Sequence, residues 1–234
     1  MSQFDEAINY RLISKDNNWT FTPIWKNGTK TIFHSLSKNI DSIETQSRTH
    51  SIHEFINNMP SDSGLKMVHK DSKEYASVIN AGSFNFVCLR DPYERFMSAF
   101  YHKILVTKGK ERGTFFEDYD AENDKPILKL KKFILYVRDN DNIDPHFWSQ
   151  TRIADLNNIK YHSVISLNNL RSDWNELASK LNGLPRLDKT HLHKTKSYNL
   201  ADRIMRPEND KIYKKILNLY ADDYKYLSSN NIVL

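Results

Sequence analysis

Residues 86–100 read Phe86-Val87-Cys88-Leu89-Arg90-Asp91-Pro92-Tyr93-Glu94-Arg95-Phe96-Met97-Ser98-Ala99-Phe100. Four apolar residues end on an arginine, and Asp91-Pro92 opens what comes next. The apolar run has the length and composition of a buried strand. Asp91 is a good helix N-cap, Pro92 suits the first helical position, and Phe96, Phe100 and Ile104 then recur at four-residue spacing. A strand that feeds straight into a helix puts its loop at the carboxyl edge of a sheet, where open α/β folds bind ligands. A guanidinium at the end of a buried strand is costly unless it meets an anion. Ser98 lies roughly 10 Å up the helix at 1.5 Å per residue, so that the cation and the hydroxyl can converge on one phosphate. The competing reading is a structural ion pair of Arg90 with an acidic residue, Ser98 being filler.

Outward from this stretch, Trp19–Ile24, Leu65–His69 and Tyr161–Leu167 read as further strands beside Phe84–Arg90. They are short and apolar with helix-like segments between them, which predicts an α/β domain of three layers, its central parallel sheet of about four to five strands flanked by helices. Ile127, Leu130, Ile134 and Val137 mark an amphipathic helix with Lys129, Lys131, Lys132 and Arg138 mostly on its other side. Helices are also expected over Asn168–Leu181 and Asn209–Leu227. No repeat or linker is visible in the 234 residues, which predicts one domain over 1–234 with its core at about 19–227.

Hydrophobic residues make up 39% and charged residues 27% of the chain. No apolar run approaches the roughly 20 residues of a membrane span, and no signal-like segment opens the sequence, so the expected compartment is the cytoplasm. The net charge of +5 suits an anionic ligand such as a nucleotide, although a solvated basic surface explains it equally well. Cys88 is the only cysteine, which excludes a disulfide framework and a cysteine metal cluster; between Val87 and Leu89 it reads as a core residue.

A second junction is Trp25-Lys26-Asn27-Gly28-Thr29-Lys30-Thr31, directly after the first strand. Gly28 permits a tight turn, and the backbone amides of Thr29, Lys30 and Thr31 would face an anion from a helix N-terminus. Lys26 and the two threonine hydroxyls add a charge and two donors. The Walker pattern is not met, because it needs a glycine where Pro23 stands and a lysine where Thr29 stands.

Together the two junctions resemble the sulfotransferases that use 3'-phosphoadenosine 5'-phosphosulfate (PAPS), especially the carbohydrate sulfotransferases. In that family a Pro-Lys-x-Gly-x-Thr/Ser-Ser/Thr loop grips the 5'-phosphosulfate; Trp25 replaces the proline here. The Arg-Asp-Pro-x-Glu-Arg-x-x-Ser-x-aromatic element, present in full from Arg90 to Phe100, grips the 3'-phosphate through Arg90 and Ser98. "DPHFWSQ" at Asp144–Gln150 is similar to the family's His-aromatic-x-x-Gln segment, and "YHSVISLNNLRSDWNEL" to its strand and helix with an acidic-Trp pair. "THLHKTKS" at Thr190–Ser197 resembles the loop that closes over the adenosine end.

The resemblance implies a fold like that of the P-loop nucleotide kinases and in-line transfer of a sulfuryl group from PAPS to a hydroxyl, leaving 3'-phosphoadenosine 5'-phosphate (PAP). Lys26 would stabilise the bridging oxygen, Asn27, Gly28, Thr29, Lys30 and Thr31 would hold the 5'-phosphate, and Lys194, Thr195 and Lys196 would form a flap. His146, Trp148 and Gln150 would meet the acceptor, expected to be a glycan or glycan precursor, with Phe147 and Tyr136 as further stacking candidates. The scheme requires no metal, and the sequence offers no cluster with metal-ligand spacing. His69 resembles the base of the 2-O-sulfotransferase branch, and an imidazole suits proton acceptance at neutral pH. His146, Asp144 and Glu74 are alternatives for that role. A P-loop nucleotide kinase and a nucleic-acid-binding module are the competing function classes, the first lacking its Walker motif and the second leaving Arg90 with Ser98 unexplained.

Overall fold

A computed structural model of the chain describes residues 9–16, 18–38, 63–106, 125–140, 143–187 and 210–234. The strands are β1 (Tyr10–Ser14), β2 (Trp19–Thr22), β3 (Leu65–His69), β4 (Phe84–Leu89) and β5 (Ser163–Ser166). The helices are α1 (Thr29–Lys38), α2 (Lys73–Asn80), α3 (Pro92–Phe100), α4 (Pro126–Asp139), α5 (Gln150–Ala154), α6 (Leu170–Ala178), α7 (Asp210–Leu219) and α8 (Ala221–Ser229). The chain divides into two compact units, one of residues 1–90, 150–192 and 232–234, the other of residues 91–149 and 193–231.

The first unit holds one five-stranded sheet in the order β3-β1-β2-β4-β5. β2 and β4 pair in parallel, Trp19 opposite Phe84 and Thr22 opposite Val87, and β4 pairs in parallel with β5. β1 is antiparallel to β2 on one side and to β3 on the other, so β3 points the same way as β2. The expected all-parallel sheet is therefore corrected to a mixed one: the four expected strands do share a direction, and an unexpected fifth runs against them. In β1 the apolar signal is broken by Arg11, a fully buried arginine whose Nη1 donates to the Tyr10 carbonyl and Nη2 to the Ile153 carbonyl, both at 3.0 Å. Nothing in the local pattern announces a charged residue turned inward.

Helices cover both faces of this sheet, which is why its central strands are buried along their length. Ile32, Phe33 and Leu36 of α1 and Leu170, Trp174 and Leu177 of α6 pack with Leu12, Trp19, Phe21, Phe86 and Ile165. Residues one step out of phase, Ile13 and Val68, meet Tyr75 and Val78 of α2. The tryptophan of the acidic-Trp pair is a core residue: Trp174 stands edge-on to Phe21 and Phe86, at 5.2 and 5.5 Å between ring centroids, and its Nε1 donates to the Pro185 carbonyl.

In the second unit α3 continues into a π-helical stretch, Tyr101–Val106, and its aromatic stripe packs with α4 and α7 around Phe96, Phe100, Phe133, Phe147, Ile216 and Tyr220. Asp91 caps α3 as its sequence predicts, Oδ1 accepting from the Glu94 amide at 2.9 Å. Its other oxygen accepts from the Tyr224 hydroxyl at 3.2 Å, which itself accepts from the Tyr93 amide. Burial and the neighbouring Asp91 carboxylate hold the Tyr224 phenol well above its ordinary range, so it remains a donor. The single C-terminal helix expected over Asn209–Leu227 is broken at Tyr220, whose buried hydroxyl donates to the Phe147 carbonyl at 2.9 Å.

Tyr224→Phe removes a partner from both the cap carboxylate and the Tyr93 amide. Urea unfolding should show a loss of about 1–2 kcal/mol, as for part-buried groups left without their hydrogen bonds.

Candidate functional site

Because β2 and β4 are adjacent and parallel, the chain leaves both at one edge of the sheet. After β2 a turn at Trp25–Gly28 leads into α1 with two residues in the left-handed region, Lys26 at φ 70° and Gly28 at φ 75°. Asn27 N–H and the Thr29 hydroxyl both donate to the Ile24 carbonyl, at 3.1 and 2.5 Å, and close the turn. The helical ladder starts with Ile32 N–H to the Gly28 carbonyl, so the amides of Thr29, Lys30 and Thr31 form the first turn of α1 and have no place in that ladder. Lys30 is exposed and Thr31 half-buried. The Thr29 hydroxyl, expected as a ligand donor, instead serves the turn. Trp25, which stands where the resembled loop has proline, packs against the core of the first unit.

Gly28 is required on two counts. Its φ favours glycine, and a Cβ there would lie 2.8 Å from Leu167 Cδ1 and 2.9 Å from Leu170 Cδ2. Lys26 adopts a comparable φ without that freedom, and a left-handed non-glycine residue costs about 1–2 kcal/mol. Such strain concentrates at functional sites.

Arg90 directly follows β4, is only 8% exposed, and donates from Nη1 to the Lys26 carbonyl at 3.3 Å. The guanidinium thus reaches the neighbouring turn. β4 pairs with β2 as far as Val87 and with β5 as far as Leu89, and at Arg90 the backbone takes a side chain as partner. Gln150, the first residue of α5, accepts from the Arg90 amide through Oε1 at 3.0 Å and donates to the Arg90 carbonyl through Nε2 at 2.8 Å. Gln150 Oε1 also accepts from Asn27 Nδ2 at 2.5 Å, and Asn27 Nδ2 donates in addition to the Cys88 carbonyl at 2.8 Å. Both side chains are 1% exposed. Asn27 and Gln150, expected at the cofactor and the acceptor, thus bond to the protein itself. The Cys88 thiol lies in the same wall, and burial raises its pKa far above the ordinary range, which keeps it a neutral core group.

The candidate bases differ in their surroundings. His69 ends β3 at the level of Cys88, on the edge shared with β2, but β1 and β2 separate its strand from β4, roughly 14 Å at strand spacing. It is half-exposed, stands edge-on to Tyr10, and its Nδ1 lies 3.2 Å from the Asp71 amide and 3.6 Å from the Asp71 carboxylate. Glu74 on α2 is paired with Lys66 at 2.5 Å. In the second unit, Asp144 Oδ1 lies 2.7 Å from His146 Nδ1 and accepts from the His146 amide at 2.9 Å. That carboxylate favours a proton on Nδ1.

Ser98 is buried on α3 of the second unit. Phe147 is a core residue, edge-on to Phe133 at 4.7 Å, and Tyr136 stacks on Phe133. Trp148 is half-buried, and its carbonyl accepts from Arg95 Nη1 at 2.6 Å. Lys194, Thr195 and Lys196 lie outside the described residues. Among the described residues no cluster of three or more His, Cys, Asp or Glu could hold a metal ion, and no helix is long and apolar enough to cross a membrane.

The edge thus gathers a strained lysine, an exposed lysine, three helix-start amides and a nearly buried arginine, a donor set for a ligand with more than one anionic group. Neither a curated protein nor a solved structure matches the chain. The sulfotransferase family does match it, over residues 9–228, a span that includes both junctions and residues of both units. The chain belongs to the sulfotransferase family.

Proposed function

We propose that the protein transfers a sulfuryl group from PAPS to a hydroxyl of a glycan or glycan precursor. The observation that carries the donor is the union of the β2–α1 turn and Arg90 at one sheet edge, where the guanidinium reaches the Lys26 carbonyl. The residues there suit a doubly phosphorylated nucleotide. The amides of Thr29, Lys30 and Thr31 with the Lys30 ammonium would hold the 5'-phosphate, as in P-loop folds though without the Walker sequence. Arg90 takes the 3'-phosphate, and Ser98 is given to it on its place in the Arg-Asp-Pro element. PAPS supplies an activated sulfuryl group with a phosphate leaving group.

Lys26 is positioned by its unusual φ to place an ammonium at the turn, where charge develops on the departing phosphate. The acceptor proton goes to a histidine. We assign that step to His146, because Asp144 orients its ring through Nδ1, whereas β1 and β2 stand between the strand of His69 and β4. His146→Ala should lower turnover roughly 100- to 10,000-fold with PAP affinity little changed, and His69→Ala should be much milder. The reverse order returns the role to His69.

Calorimetry with PAP and with ATP-magnesium tests the donor. PAP should bind and ATP-magnesium should not, and Arg90→Ala should abolish PAP binding. A preference for ATP-magnesium would identify a nucleotide kinase instead.

The turn adds a test that separates stability from activity. Lys26→Ala and Lys26→Gly both remove the ammonium and should both lose turnover, but only glycine relieves the positive φ. The glycine variant should be the more stable of the two by about 1 kcal/mol in thermal unfolding. Equal stabilities would show that Lys26 stores no strain.

A further inference from the structure

We infer that Gln150 is a positioning residue that locks the two phosphate-gripping loops together, and that through Arg90 it sets the preference for a nucleotide bearing a 3'-phosphate. This rests on the PAPS reading of the site. The observation is the way its primary amide is used. One oxygen accepts from the Arg90 amide and from Asn27 Nδ2, and the nitrogen donates to the Arg90 carbonyl. Backbone donors and acceptors fix the orientation of both amide side chains, since Arg90 presents one of each and Cys88 presents a carbonyl to Asn27.

Arg90 needs such a clamp because it stands where pairing stops. Inside the sheet a residue's backbone is held by its neighbours, whereas the pairing of β4 extends to Val87 on one side and to Leu89 on the other. Loss of Gln150 removes the bonds to both the amide and the carbonyl of Arg90, and a long side chain magnifies any turn of that backbone at its guanidinium. The clamp is also shared. Asn27 lies between the two left-handed residues of the turn, so one buried amide pair joins the residue that presents Arg90 to the residue that shapes the 5'-phosphate loop. Gln150 holds Arg90 through both its amide and its carbonyl, while Asn27 keeps a second anchor on Cys88. Loss of Gln150 therefore falls chiefly on the 3'-phosphate.

The test is the ratio of affinities for PAP and adenosine 5'-phosphate, measured by calorimetry on the full chain. Gln150→Met keeps the length and removes the polar bonds. Gln150→Glu keeps the acceptor toward Asn27 and the Arg90 amide but sets an oxygen against the Arg90 carbonyl. Thermal unfolding identifies any variant that fails to fold, and the other then carries the measurement. Wild type should prefer PAP, and either substitution should reduce that preference roughly ten-fold. A purely structural role would weaken both nucleotides by one factor, and an unchanged ratio in the folded variant overturns the inference while the PAPS reading stands. Absence of any PAP preference in wild type overturns both.

Discussion

The parallel pairing of β2 with β4 is the constraint on which the site depends. Parallel neighbours leave the sheet at one edge, roughly 5 Å apart, and each here is followed at once by a tight connection to a helix. Two cationic loops are thereby brought within reach of one ligand without a long excursion of either. The arrangement has a cost that the fold must meet locally: strand ends lack neighbours for their backbone groups, and buried polar backbone without partners is expensive. Gln150 supplies a partner to both the amide and the carbonyl of Arg90, and the Asn27 side chain caps the carbonyl of Cys88. Asn27 and Gln150 are thus polar side chains of this wall that bond to the protein itself.

The aromatic content divides similarly. Of the stacking candidates Trp148, Phe147 and Tyr136, Phe147 is buried and Tyr136 lies stacked on Phe133, while Trp148 is half-buried. Burial of such rings is the dominant stabilising contribution in both units.

What was legible in the sequence was what local pattern controls. The strand of Phe84–Leu89, the Asp91 cap, the helix from Pro92 and the turn at Gly28 each carry their signal within a few residues. β1 was hidden because Arg11 interrupts its apolar run, and the cost of burying it is offset by carbonyls far along the chain, such as that of Ile153. The break at Tyr220 depends on a hydroxyl reaching Phe147. The functions of Asn27 and Gln150 were equally out of reach, since their bond spans 123 positions of sequence. Both types were visible in family-like segments, which pointed to a ligand, whereas the contacts that decide their use are tertiary.

Cys88 gives this wall a built-in gauge. It is the chain's single cysteine, its carbonyl receives the Asn27 amide, and its thiol is shut away from solvent as a neutral group. A thiol reagent can reach it only when the strand end opens, so in the unmodified protein the rate of alkylation counts excursions of the very segment that presents Arg90. Local opening at this edge of the sheet is thus accessible to a chemical clock that needs no engineered label.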